Sequence, residues 1–234
     1  GSGGMNDNCG KASMEFRGQL EAAAALFVLL GRIFHGILDR SLFAELVEQQ
    51  VFEDIPYVAG NDAQNAQRRL LAWARSCDVG FSEKDYHDLR AEYTRLFVGT
   101  KRVLAPPWES VYFNKERMVF QHQTFEVRAM YAKHGLEVDL ISREPDDHLA
   151  YELMFLGHLL ARGVGFFEQG ESGKMRETLV DAVSFTVCHP LSWVPQWRDT
   201  VHRHSSNDFY CGYAALVEAA LRQVEDDLSS FLLP

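Results

Sequence analysis

The chain has 234 residues, 47% hydrophobic and 24% charged, with 33 acidic against 23 basic side chains and a net charge of −10. That length supports a sizeable core in one large domain or two small ones. The acidic balance argues against a general nucleic-acid binder, whose affinity rests on lysine and arginine neutralising phosphates.

Gly1 to Gly4, ahead of Met5, read as a cloning remnant and are set aside. The apolar stretch 20–38 is bracketed by Glu21 and Arg32 and has no small-x-small cleavage site after it, so it predicts an amphipathic first helix rather than a signal peptide. No apolar run approaches the roughly 18–20 residues that cross a bilayer, and no stable membrane insertion is expected. Further helices fit 42–50 and 62–77. The pair Arg68-Arg69 is internal to the second of these and is no export signal. Ser82, with Asp85 three residues on, makes a capping-box-like start to the next helix. The segment 98–113 carries Gly99 and the pair Pro106-Pro107, which interrupt any helix. Asn114 can cap a helix over 115–134, ended by Gly135. The only strand-like alternation is 136–141. Leu149, Leu153, Leu156 and Leu160 then recur at helical spacing, followed by helices near 173–187 and, shorter, near 191–198. In the last segment Tyr210, Tyr213, Val217, Leu221, Val224 and Leu228 paint one apolar face. These elements predict an all-α helical bundle of about eight to ten helices in two subdomains, 5–134 and 148–234, joined by an acidic hinge at 135–147. The scattered Cys9, Cys77, Cys188 and Cys211 show no ligand-like pairing and read as reduced structural thiols of a cytosolic protein.

Two segments carry unusual chemistry. Residues 136–152 hold six carboxylates against Arg143 alone, half the net charge of the chain. Within them, "EPDDHLAYEL" (144–153) admits several readings. As a metal site, His148 and Glu152 share a helical face and Asp147 adjoins them, but HExxH is absent and no spacing selects further ligands; a metal-dependent hydrolase built on His148 and Asp147 is the alternative class. As a helix start, Pro145 suits the first turn and Asp146 and Asp147 suit the positive end, one of them capping, with Glu152 and His148 paired on the surface. The other segment, "APPWESVYF" (105–113), is a rigid aromatic element, read as a core plug ahead of one wall of a peptide groove. No phosphate loop, dinucleotide fingerprint or nucleophile elbow is present, and no catalytic residue or metal ligand is assigned.

The strings "EYTRLFVG", "APPWESVYF", "EPDDHLAYEL", "HPLSWVPQW" and "DFYCGYAAL", in this order, resemble the TorD/DmsD family of cytoplasmic redox-enzyme maturation chaperones, related more distantly to NarJ. The resemblance spans 92–216. It implies an all-α fold of two helical units and no turnover of its own. It further implies binding of the twin-arginine signal peptide of a molybdopterin oxidoreductase precursor, of the dimethyl-sulfoxide or trimethylamine-N-oxide reductase type, until cofactor insertion and export. By motif position, Leu96 and Phe97 match an apolar wall of the family's groove. Pro107, Trp108, Ser110 and Tyr112 match its aromatic segment, and Glu144, Asp147 and His148 its polar hot spot, with Asp147 and His148 facing the cationic peptide. Thr100 departs from the family, where many relatives carry proline. Some relatives bind guanine nucleotides weakly or form homodimers by swapping the C-terminal unit, and the resemblance admits both for this chain; no other cofactor is implied. The chemistry is consistent with this role: carboxylates accept guanidinium bidentately, and an apolar groove suits a helix-forming stretch.

Overall fold

Leu149, Leu153, Leu156 and Leu160, the stripe evident from their spacing, are all fully buried, and the helix that carries them is the spine of the molecule. The computed structural model describes residues 3–77, 83–139 and 144–233. Among them are nine α-helices: α1 (Gly3–Phe34), α2 (Arg40–Glu48), α3 (Asn61–Ser76), α4 (Glu83–Tyr93), α5 (His122–Lys133), α6 (Leu149–Glu168), α7 (Ser172–Cys188), α8 (Pro190–His204) and α9 (Asp208–Leu232). The all-α expectation holds, and the described residues form no strand. A π-helical turn, Thr94–Val98, follows α4, and a 3₁₀ turn, Glu109–Phe113, follows the double proline.

Helix α6 lies between α1 and α7, and α9 packs on α3, α7 and α8. Close approach is made possible by glycine. A Cβ built on Gly157 of α6 would stand 2.9 Å from Val28 Cγ2 and 3.1 Å from the Ala24 carbonyl oxygen of α1. Tyr210, Tyr213, Val217, Leu221, Val224 and Leu228 of α9 are all buried, as their period requires. One hydrophobic cluster takes in residues from Leu20 to Leu228. Helices before and after the expected hinge therefore share it. Of that hinge, residues 140–143 lie outside the described residues, as does the Ser82 cap. No helix among the described residues is long and apolar enough to cross a membrane.

Several expectations shift. Helix α1 runs Gly3–Phe34 and ends before the predicted 38, and α2 begins under an Asp39 cap whose carboxylate accepts from Leu42 N–H at 2.7 Å. Helix α8 continues to His204 rather than stopping near 198, because buried Trp193, Val194, Trp197 and Val201 hold one face against the core past Pro195. The helix expected over 115–134 forms only from His122. Asn114 caps no helix: its side chain accepts from Met118 N–H and donates to the Ser110 and Met118 carbonyls, closing a loop that passes through left-handed Arg117.

Candidate functional site

The two unusual segments meet. Leu149 N–H donates to the Pro107 carbonyl at 2.9 Å and Glu109 N–H to the Asp147 carbonyl at 3.2 Å, an antiparallel bridge that sets Trp108 opposite His148. The double proline makes this pairing available, since an extended, non-helical backbone leaves its carbonyls free for a distant partner. Side chains reinforce the bridge. Trp108 Nε1 donates to Glu144 Oε2 at 3.0 Å, and Ser110 N–H donates to Asp147 Oδ2 at 2.7 Å. The other Asp147 oxygen accepts from Thr124 Oγ1 of α5 at 3.1 Å. Asp147 thus ties three chain segments together and is fully buried.

His148, not an aspartate, caps α6: its Nδ1 accepts from Ala150 N–H at 3.1 Å. Burial, with a smaller effect of His35, lowers its pKa to about 3, so the ring stays neutral and can accept. The surface pair expected between His148 and Glu152 does not form. Glu152 points into the core and accepts from Trp193 Nε1 of α8 at 3.0 Å. Beside it Glu109, also fully buried, faces His189 Nδ1 at 3.0 Å. Burial raises the pKa of Glu109 and, further, that of Glu152, where the Glu109 charge adds to the effect. Tyr112 stacks on Trp193 with ring centroids 5.3 Å apart, and its hydroxyl donates to the Pro106 carbonyl at 2.8 Å.

An acid-lined cavity of about 440 Å³ opens beside this bridge, walled by Glu137, Asp139, Glu144 and Asp146 together with Arg128, Phe120 and the apolar Leu136 and Val138. Asp146 is held by Arg128 at 2.8 Å, and its carbonyl by the Tyr131 hydroxyl at 2.8 Å. Glu144 is half-buried, which raises its pKa; Asp147 adds to the rise, while the Trp108 hydrogen bond and His35 oppose it. Phe120 stands at φ +56°, a backbone region that bulky residues rarely adopt, with its ring half exposed at the cavity mouth.

The residues singled out from the sequence therefore divide by depth. Trp108, Tyr112 and Glu144 keep partial exposure at the site. Pro107, Ser110, Asp147 and His148 are buried just behind it. Leu96 and Phe97 are buried in the aromatic core: the Phe97 ring packs edge-on against Phe34 with centroids 4.8 Å apart, and Phe34 in turn stacks on His148 at 5.8 Å. The core-plug reading of "APPWESVYF" fits most of that segment, with Trp108 and Tyr112 half exposed and Phe113 exposed. Among the described residues no three of His, Cys, Asp and Glu are grouped to hold a metal ion, so a hydrolase on His148 and Asp147 finds no ligand set there. Sequence reasoning missed Glu109, Thr124, Arg128, His189 and Trp193. Two of these sit inside "HPLSW", a string already notable, whose His189 and Trp193 reach the carboxylates of the other two strings.

Comparison with known proteins agrees with this architecture. The family model described as nitrate reductase delta subunit matches residues 60–199. Among curated relatives, the chaperone protein TorD of Vibrio parahaemolyticus is 30% identical over 56% of this chain and 60% of its own length. The Tat proofreading chaperone DmsD of Salmonella typhi is 26% identical over 72% of this chain and 76% of its own, and TorD of Salmonella schwarzengrund 29% over 89% and 93%. The chain thus spans about 60% of the length of the first of these relatives and nearly all of the last. On the matched family model and these relatives, the chain belongs to the nitrate reductase delta subunit family, among the TorD and DmsD proteins.

Proposed function

We propose that this chain is a redox-enzyme maturation chaperone that binds the twin-arginine signal peptide of a molybdopterin oxidoreductase precursor, and performs no chemistry of its own. The observation that carries the reading is the Trp108–Glu144 hydrogen bond at the wall of an acid-lined cavity. It places an aromatic surface and a carboxylate side by side, the complement of a guanidinium next to an apolar stretch. Relatives named as Tat proofreading and TorD chaperones support the same role. A guanidinium arriving beside Glu144 would favour its charged form and oppose the rise in pKa that burial imposes. Buried Asp147 and His148 serve this site from behind, holding Trp108 and the start of α6 in register, while Glu137, Asp139 and Glu144 meet the cation.

The test is calorimetric titration with twin-arginine signal peptides of molybdoenzymes from the same genome, beside the same peptides with both arginines changed to alanine. Expected are binding that weakens with salt, a loss of at least about tenfold on removing the arginines, and a comparable loss for Glu144→Gln. If no such leader binds, or if arginine removal changes nothing, the reading is wrong.

A further inference from the structure

The acid-lined cavity has a neighbour. Residues 136–139 are non-helical and alternate in exposure: Leu136 and Val138 are half-buried and pack against the core, whereas Glu137 and Asp139 are exposed. A second cavity, of about 450 Å³, shares these four residues with the first and is otherwise walled by Tyr131, Tyr151, Met154, Phe155 and two histidines. Its volume falls in the range of about 300–1,000 Å³ typical of ligand pockets. Tyr151, Met154 and His158 are spaced by three and four along α6 and are the half-buried residues on a stretch of that helix otherwise packed away. Burial, followed by the nearby charges of Arg162 and His134, lowers the pKa of His158, so its ring adds no cation to the wall. Glu137 and Asp139 thus serve both cavities; the first adds the carboxylates of Glu144 and Asp146, the second the aromatic and thioether surface of Tyr151, Met154 and Phe155. His35 lines the second cavity, with its ring 5.4 Å from that of Tyr151.

Resting on the signal-peptide reading, we propose that the Tyr151–Met154 cavity is a specificity pocket for one large apolar side chain of the leader. The acid-lined cavity takes a guanidinium of the same peptide. The occupant is thus required to carry a cationic and an apolar group close together in sequence, because both cavities are built on residues 136–139. A peptide with the arginines alone satisfies only half of the surface, and so does a purely apolar helix. Charge complementarity selects the peptide class, and the apolar cavity selects among its members.

The experiment is a double-mutant cycle by fluorescence anisotropy. Each large apolar residue of a twin-arginine leader is changed singly to alanine and titrated against the wild-type chain, Met154→Ala and Tyr151→Ala. Tyr151 lines the second cavity and not the first, and its variant serves should Met154→Ala disturb the α1–α6 contact; melting temperature and circular dichroism check both folds. Expected is one peptide position whose change to alanine weakens binding tenfold or more in the wild type but less than threefold in either variant, while the loss on removing the arginines is unchanged. Binding that depends on the arginines but shows no such coupling at any apolar position overturns the pocket and leaves the signal-peptide reading standing. Failure of every leader to bind the wild type overturns both.

Discussion

Ser110 N–H and Asp147 Oδ2 lie 2.7 Å apart in the buried interior, joining two segments 37 residues distant in sequence. Because the second oxygen of Asp147 serves Thr124, its truncation strands two donors. Each unpaired buried donor costs about 1–3 kcal/mol. Asp147→Ala is therefore expected to lower stability in urea denaturation by about 2–5 kcal/mol, and to weaken leader binding by displacing Trp108. An unchanged midpoint would show that the carboxylate does not hold this bridge.

Glu152→Gln separates burial from charge. In the fold, burial and the Glu109 charge raise its pKa well above the ordinary 4.5. The folded chain then keeps a proton that the unfolded chain releases, so stability falls as pH rises from about 4.5 through the folded value. Glutamine retains an acceptor for Trp193 and removes this loss. The variant is expected to match the wild type below about pH 4.5 and to exceed it by about 1 kcal/mol or more at pH 8, read as melting temperature against pH. Parallel profiles would refute a protonated Glu152.

His148 acts in the opposite sense. Its folded pKa of about 3 lies below the ordinary 6.5, so its contribution is full above pH 6.5 and is lost as pH falls towards 3. His148→Asn keeps an acceptor for Ala150 N–H and is expected to move acid unfolding to lower pH. His148→Ala also loses the cap and is expected to cost about 1 kcal/mol more than asparagine at neutral pH. Equal stability of the two variants there would remove the capping role.

The α1–α6 contact makes glycine position decisive. Gly157→Ala places a methyl group 3.1–3.2 Å from the backbone of Ala24 and Val28, which only a shift of α1 relieves, and should destabilise by about 1–3 kcal/mol. On the same helix, a Cβ at Gly165 meets nothing within 4 Å, and Gly165→Ala should stabilise by up to about 1 kcal/mol. Chemical denaturation of the pair checks both signs.

Arg128 pairs with Asp146 at the edge of the acid-lined cavity, an internal guanidinium where the peptide's own would come. Arg128→Gln is expected to strengthen leader binding about two- to fivefold at low salt, the effect shrinking as salt is added. Weaker binding by this variant would assign Arg128 a purely structural task.

Periodicity alone determined the helices that matter most. The leucine stripe of α6 and the tyrosine-led face of α9 are local patterns, and a local pattern needs only the helical repeat to say which residues share a side. The joint occurrence of "APPWESVYF" and "EPDDHLAYEL" likewise marked the site region, because both strings concentrate side chains that a bland helix does not need. Only the tertiary structure decided what each polar group does there. Asp147 and Glu152 look like surface helix residues by spacing, yet one is claimed by a backbone N–H 37 residues away and the other by a tryptophan 41 residues on. A hydrogen-bond partner supplied by a distant segment leaves no mark in neighbouring positions. It becomes visible when burial removes water and forces every donor and acceptor to find its match.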